Sequence, residues 1–87
     1  MSLQRKIAQH RIDTNQPLRF AVADIGSKLL NQDTTTFTYE WLTTNHPRVD
    51  KNVLITTLLL EGFYVENYGS YSKVHISVPV FEYNKNL

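Results

Sequence analysis

The residue types able to do chemistry are scattered along this chain. The histidines are His10, His46 and His75, and no two of them share a spacing at which imidazoles jointly bind a metal. Each is expected at the surface. The acids Asp24, Glu61 and Glu66 form no adjacent pair of the kind general acid–base work requires, and each is read as part of a solvated helix or strand face. With no cysteine there is no thiolate ligand, thiol nucleophile or disulfide. The glycines are Gly26, Gly62 and Gly69, too sparse for a phosphate-cradling loop or a dinucleotide fingerprint. The expectation is a protein that is not an enzyme, takes no cofactor and holds no metal.

Residues suited to binding are better grouped. The formal net charge is only +1, but residues 1–19 carry Arg5, Lys6, Arg11 and Arg19 against Asp13 alone, or 4 − 1 = +3, which leaves −2 for the remainder. Arg5, Lys6 and Arg11, with Gln4, Gln9 and His10 around them, are candidates for phosphates or an acidic partner; a solubilising, frayed terminus is the plainer account. A second set, Arg48, Lys51 and Asn52, falls where a helix is expected to start. Cations there oppose the helix dipole slightly, which hints at a role beyond structure. A third set, Tyr64, Tyr68 and Tyr71 beside Lys73, offers aromatic contact area to a protein or a single-stranded nucleic acid, or simply pairs across strands. Phe37, Tyr39 and Trp41 are read as core rather than as a stacking platform, because aromatic side chains bury the most apolar area.

The elements that position these residues follow from periodicity. Residues 3–12 place Leu3, Ile7 and Ala8 among polar neighbours, giving a short amphipathic helix or a mobile arm. Asp13–Thr14–Asn15 followed by Pro17 is a helix start, and a helix from about Gln16 to Asn31 buries Leu18, Val22, Ile25 and Leu29. Thr34–Leu42 alternates Thr36, Thr38 and Glu40 with Phe37, Tyr39 and Trp41, which predicts a strand whose second half either continues or turns into a short helix. His46–Pro47 breaks that element. Either Asp50 then caps a helix carrying Val53, Leu54, Leu58 and Leu59 or Pro47 starts it earlier, and Gly62 closes it as a left-handed C-cap with Phe63 after it. Phe63–Tyr68, a turn at Gly69–Ser70 and Tyr71–Val78 form a β-hairpin. Phe63, Val65, Val74, Ile76 and Val78 face inward on it, and Tyr64, Glu66, Tyr68, Tyr71, Lys73 and His75 outward. Pro79 ends the ladder, and Val80 and Phe81 anchor a polar tail.

Length sets the frame. With 87 residues, 41% hydrophobic and 20% charged, the chain has the composition of one globular domain and no room for a second. The expected organisation is a basic arm or short helix over 1–14, one α+β domain over 15–80 and a polar tail over 81–87. The fold is two to three helices packed on a small antiparallel sheet with a C-terminal β-hairpin. The longest apolar runs fall far short of a bilayer span, so no membrane is expected, and the lack of cysteine suits the cytoplasm or a virion assembled in it.

From Leu18 onward the order of helix, short strand, helix–turn–helix and two-stranded wing resembles a winged-helix domain. Leu58–Leu59–Leu60–Glu61–Gly62–Phe63–Tyr64–Val65 is similar to the passage from recognition helix into first wing strand. This resemblance implies a nucleic-acid-binding or regulatory module in which Arg48, Lys51 and Asn52 face the major groove. The C-terminal rhythm, ending in Lys73–Val74–His75–Ile76–Ser77–Val78, also resembles that of small uncharacterised bacteriophage proteins. That similarity implies an accessory or virion protein which binds partners through the tyrosine-rich hairpin and the N-terminal helix, with homo-oligomers among its possible states.

Overall fold

The computed structural model describes residues 2–31 and 35–77. The expected features at 32–34 and from Val78 to Leu87, including the Pro79 stop and the polar tail, lie outside the described residues.

Both optional segments are helical, so the described chain has four helices. Helix α1 spans Leu3–Thr14 and is capped by Ser2, whose hydroxyl accepts from the Arg5 amide at 3.2 Å. Helix α2 spans Gln16–Leu30. Between them Asn15 is extended, at φ −130° and ψ 96°, and serves as C-cap of one helix and N-cap of the next. Its side-chain oxygen accepts from the Leu18 amide at 3.1 Å, while Pro17 occupies the first turn, where it needs no donor. Only Asn15 of the expected Asp13–Thr14–Asn15 cluster caps. Asp13 instead accepts from Gln9 and the Thr14 hydroxyl donates to the His10 carbonyl, both within α1.

Strand β1 covers Thr36–Thr38, and the chain turns into helix α3, Tyr39–Asn45, without a linker. Thr38 makes that change possible because its hydroxyl accepts from the Trp41 amide at 3.0 Å, a cap that ends the strand and starts the helix. Helix α4, Lys51–Glu61, begins at Asp50, which accepts from the Asn52 and Val53 amides. It ends at Gly62 with φ 105°, where the Gly62 amide reaches the Leu59 carbonyl and the Phe63 amide reaches Leu58.

Strands β2, Tyr64–Tyr68, and β3, Lys73–Ser77, form the hairpin, and the antiparallel sheet order is β1-β3-β2. The turn differs from its expected form. A 3-10 segment covers Gly69–Tyr71 and Ser72 is left-handed at φ 53°, so β3 resumes only at Lys73 and Tyr71 belongs to the turn. This is the α+β order expected from the sequence, helices with a small antiparallel sheet and a C-terminal hairpin, and the optional first segment is the helix α1.

The core joins Leu18, Ala21 and Ile25 of α2, Phe37 of β1, Leu42 of α3, Leu54 and Leu58 of α4, and Val74 and Ile76 of β3. The buried arc of α2 is centred on Ala21 rather than Val22. Val22 and Leu29 are only partly covered, because α2 meets α1 as well as α4. Thr57 is fully buried without cost, since its hydroxyl donates to the Val53 carbonyl at 2.7 Å. Ala8 and Ile12 of α1 are buried by its packing on α4 and α2.

Candidate functional site

The sheet has one face against the helices and one face turned away. Strand alternation puts Val65, Val74, Ile76 and Phe37 inward, so the outer face carries Tyr64, Glu66 and Tyr68 on β2, Lys73, His75 and Ser77 on β3, and Thr36 and Thr38 on β1. The register orders these into rows. Thr38, Lys73 and Tyr68 lie in one, Thr36, His75 and Glu66 in the next, and Ser77 with Tyr64 in the last.

The ammonium of Lys73 lies 5.9 Å from the Tyr68 ring centroid and 5.5 Å from that of Tyr71, within the range in which a cation is drawn to an aromatic face. Tyr71 is 75% exposed and Tyr64 60% exposed. The Tyr68 hydroxyl donates to Glu66 Oε2 at 2.7 Å. That hydrogen bond, followed by slight desolvation and the nearby Glu66 and Tyr64 charges, holds the Tyr68 phenol above its ordinary value of 10.0. Thr36, Glu66, Tyr68, Tyr71, Lys73 and His75 together line a shallow notch of about 320 Å³.

The first turn of α4 is tied to this hairpin through Tyr39. Lys51 Nζ sits 5.0 Å from the Tyr39 ring centroid, the Tyr39 hydroxyl donates to Asn67 Oδ1 at 2.5 Å, and the Tyr39 amide donates to the Ser72 carbonyl at 2.8 Å. Lys51 is therefore partly covered, whereas Arg48 and Asn52 are exposed. Beyond Lys51, helix α4 has no lysine or arginine, and its uncovered side holds Asn52, Thr56 and a 51% exposed Leu59.

The N-terminal basic set is docked, not free-hanging. Arg5 Nε donates to the Glu61 carbonyl at 3.1 Å, against the end of α4. Arg11 shares an open cleft of about 440 Å³ with Asn52, Val53 and Thr56 of α4 and with Leu18. The fold thus brings Arg11 beside Asn52 and links Lys51 to the hairpin through Tyr39. Lys6 is exposed on α1.

Two expectations are corrected here. His46 is not a surface residue: its side chain is 11% exposed and Nε2 lies 2.8 Å from Asp24 Oδ2, so Asp24 is not merely a solvated helix position. Sequence offered no signal, because Asp24 lies in α2 and His46 in the turn after α3, far apart along the chain. Of the aromatics expected in the core, Phe37 is buried, whereas Tyr39 and Trp41 are only partly buried against it; Trp41 lies 5.2 Å from Phe37 between ring centroids, with Lys28 Nζ 5.6 Å from its own ring.

Among the described residues, no group of three or more His, Asp or Glu is arranged to hold a metal ion, and no helix is long and apolar enough to cross a membrane. The chain matches no model of a known protein family, and neither the curated proteins nor the solved structures contain a match to it.

Proposed function

We propose that this protein is a non-catalytic, winged-helix-like module that binds nucleic acid through the edge formed by the first turn of α4 and the hairpin. The observation that carries this reading is the pairing of cations with tyrosine rings along that edge. Lys51 stacks on Tyr39 and Lys73 lies beside Tyr68 and Tyr71, while Asn52 follows Lys51 exposed on α4 and Arg48 is exposed in the turn before it. Lysine and arginine supply phosphate contacts, and exposed tyrosine supplies contact area at little entropic cost. Arg11, at the α4 cleft, and Lys6 extend the cationic surface along α1.

The test is retention of labelled nucleic acid as a function of salt. Binding should weaken steeply with ionic strength, and the Arg48→Ala/Lys51→Ala pair should reduce the salt slope by about 2, one per lost phosphate contact. No measurable affinity at low salt refutes the reading.

A second reading, a protein-interaction module, is favoured by one observation: Leu3 and Ile7 on α1 and Leu59 on α4 remain exposed. Light scattering with and without residues 1–12 tests its self-assembling form. A concentration-independent monomer in both cases counts against it.

A further inference from the structure

We propose that the cleft between the end of α1 and the first turns of α4 binds a small organic carboxylate with an apolar body, held through Arg11. The proposal goes beyond the nucleic-acid reading and does not depend on it. It starts from how the covered cations are partnered. Among the described residues, Lys28, Lys51 and Lys73 are partly buried, and each has an aromatic ring centroid nearby, at 5.6, 5.0 and 5.5 Å respectively. Arg11 is also partly buried, yet among the described residues its guanidinium meets no carboxylate, carbonyl or ring. The negative end of α1 favours a cation in the last turn, but it does not pair with the five N–H donors. A charge partly withdrawn from water and left unpaired carries a cost that a bound anion removes.

The cleft around Arg11 suits such an anion. Its volume is about 440 Å³, and Leu18 and Val53 supply the apolar part of its lining. The polar groups left free in it are donors. Asn15 accepts from the Leu18 amide through Oδ1, which leaves its Nδ2 to donate, and the Asn52 side chain has no partner among the described residues. No acid lines the cleft: Asp13 bonds Gln9, and Asp50 takes the Asn52 and Val53 amides. One unopposed guanidinium complements one negative charge, which selects a monoanion. A carboxylate matches the planar guanidinium fork with two parallel hydrogen bonds, and an apolar body behind it covers Leu18 and Val53.

The experiment is an amide-resonance titration of the full chain with octanoate, octanamide, acetate and inorganic phosphate. Octanoate should shift the Arg11, Asn15, Leu18, Asn52 and Val53 resonances saturably, with half-saturation near about 1 mM for a ligand of this size in an open site. Octanamide, which lacks the charge, and acetate, which lacks the body, should each bind at least about 10-fold more weakly. Arg11→Gln should weaken octanoate by about 10-fold, and Arg11→Lys, which keeps the charge but not the fork, should fall between. Glutamine suits a helix, so circular dichroism of Arg11→Gln should match the parent. Octanoate should also raise the thermal midpoint of the parent and leave that of Arg11→Gln unmoved. Octanamide binding as tightly as octanoate, phosphate binding more tightly, an affinity unmoved by Arg11→Gln, or shifts confined to residues outside the cleft each overturn the proposal. No nucleic acid enters the titration, so its failure leaves the nucleic-acid reading to the salt-dependence test.

Discussion

His46 Nε2 and Asp24 Oδ2 lie 2.8 Å apart, joining the segment after α3 to the middle of α2. The imidazole also packs edge-on against Trp41, with centroids 5.7 Å apart, so the bond fixes the turn that sets α3 against α4. Asp24→Ala removes the hydrogen-bond partner of a largely covered imidazole. Because Asp24 itself is about one-third exposed, the expected cost is about 1 kcal/mol rather than that of a fully buried pair. Asp24→Asn, which can still bond the ring, should cost less, and urea unfolding of the two variants checks the order.

Two glycines predict effects of opposite sign. Gly62 is left-handed at φ 105°, so Gly62→Ala forces an L side chain into a conformation that costs about 1–2 kcal/mol. Gly26 lies inside α2 with nothing within 4 Å of an added Cβ, so Gly26→Ala should stabilise by about 0.5–1 kcal/mol. Thermal midpoints moving in opposite directions confirm the pair.

Tyr39→Phe keeps the ring under Lys51 but deletes the hydroxyl that Asn67 accepts. The loss should be about 0.5–1.5 kcal/mol and should be local. Amide hydrogen exchange should accelerate across β2 and the Gly69–Ser72 turn more than in α2.

Tyr68 should titrate above 10.0 in the folded protein, because its hydroxyl donates to Glu66. A folded-state value raised above the unfolded one favours the protonated phenol. Its contribution is complete below the unfolded value and is lost as pH rises through the folded one. Glu66→Gln should bring the phenol back toward 10.0, read from phenolate absorbance, and should remove the part of the parent's stability loss that sets in as pH rises above 10.0.

Helix α4 and its end at Gly62 were legible in the sequence, because a left-handed C-cap is a backbone conformation that glycine carries with it, while its start, open between Pro47 and Asp50, is settled at Asp50, whose side chain caps the first turn. The hairpin was legible for the same kind of reason, through the period-two pattern of Lys73–Ser77. At Thr38–Tyr39 the sequence left strand and helix open. The structure resolves this in favour of a helix capped by Thr38 and held to the hairpin by the Tyr39–Ser72 backbone bond, a contact between segments far apart in the chain.

The candidate site divides along the same line. Sequence alone determined that lysine, arginine and tyrosine are the groups available for binding, that Tyr64 and Tyr68 share a strand face with Lys73 and His75, and that cysteine chemistry is absent. Only the tertiary structure decided that Lys51 reaches the hairpin through Tyr39, that Arg11 meets Asn52 across a cleft, and that Asp24 holds His46. The physical reason is range. Capping and strand alternation act within a few residues, whereas these relationships depend on how α1, α2, α3 and α4 pack around one shared core, and no local pattern encodes that packing.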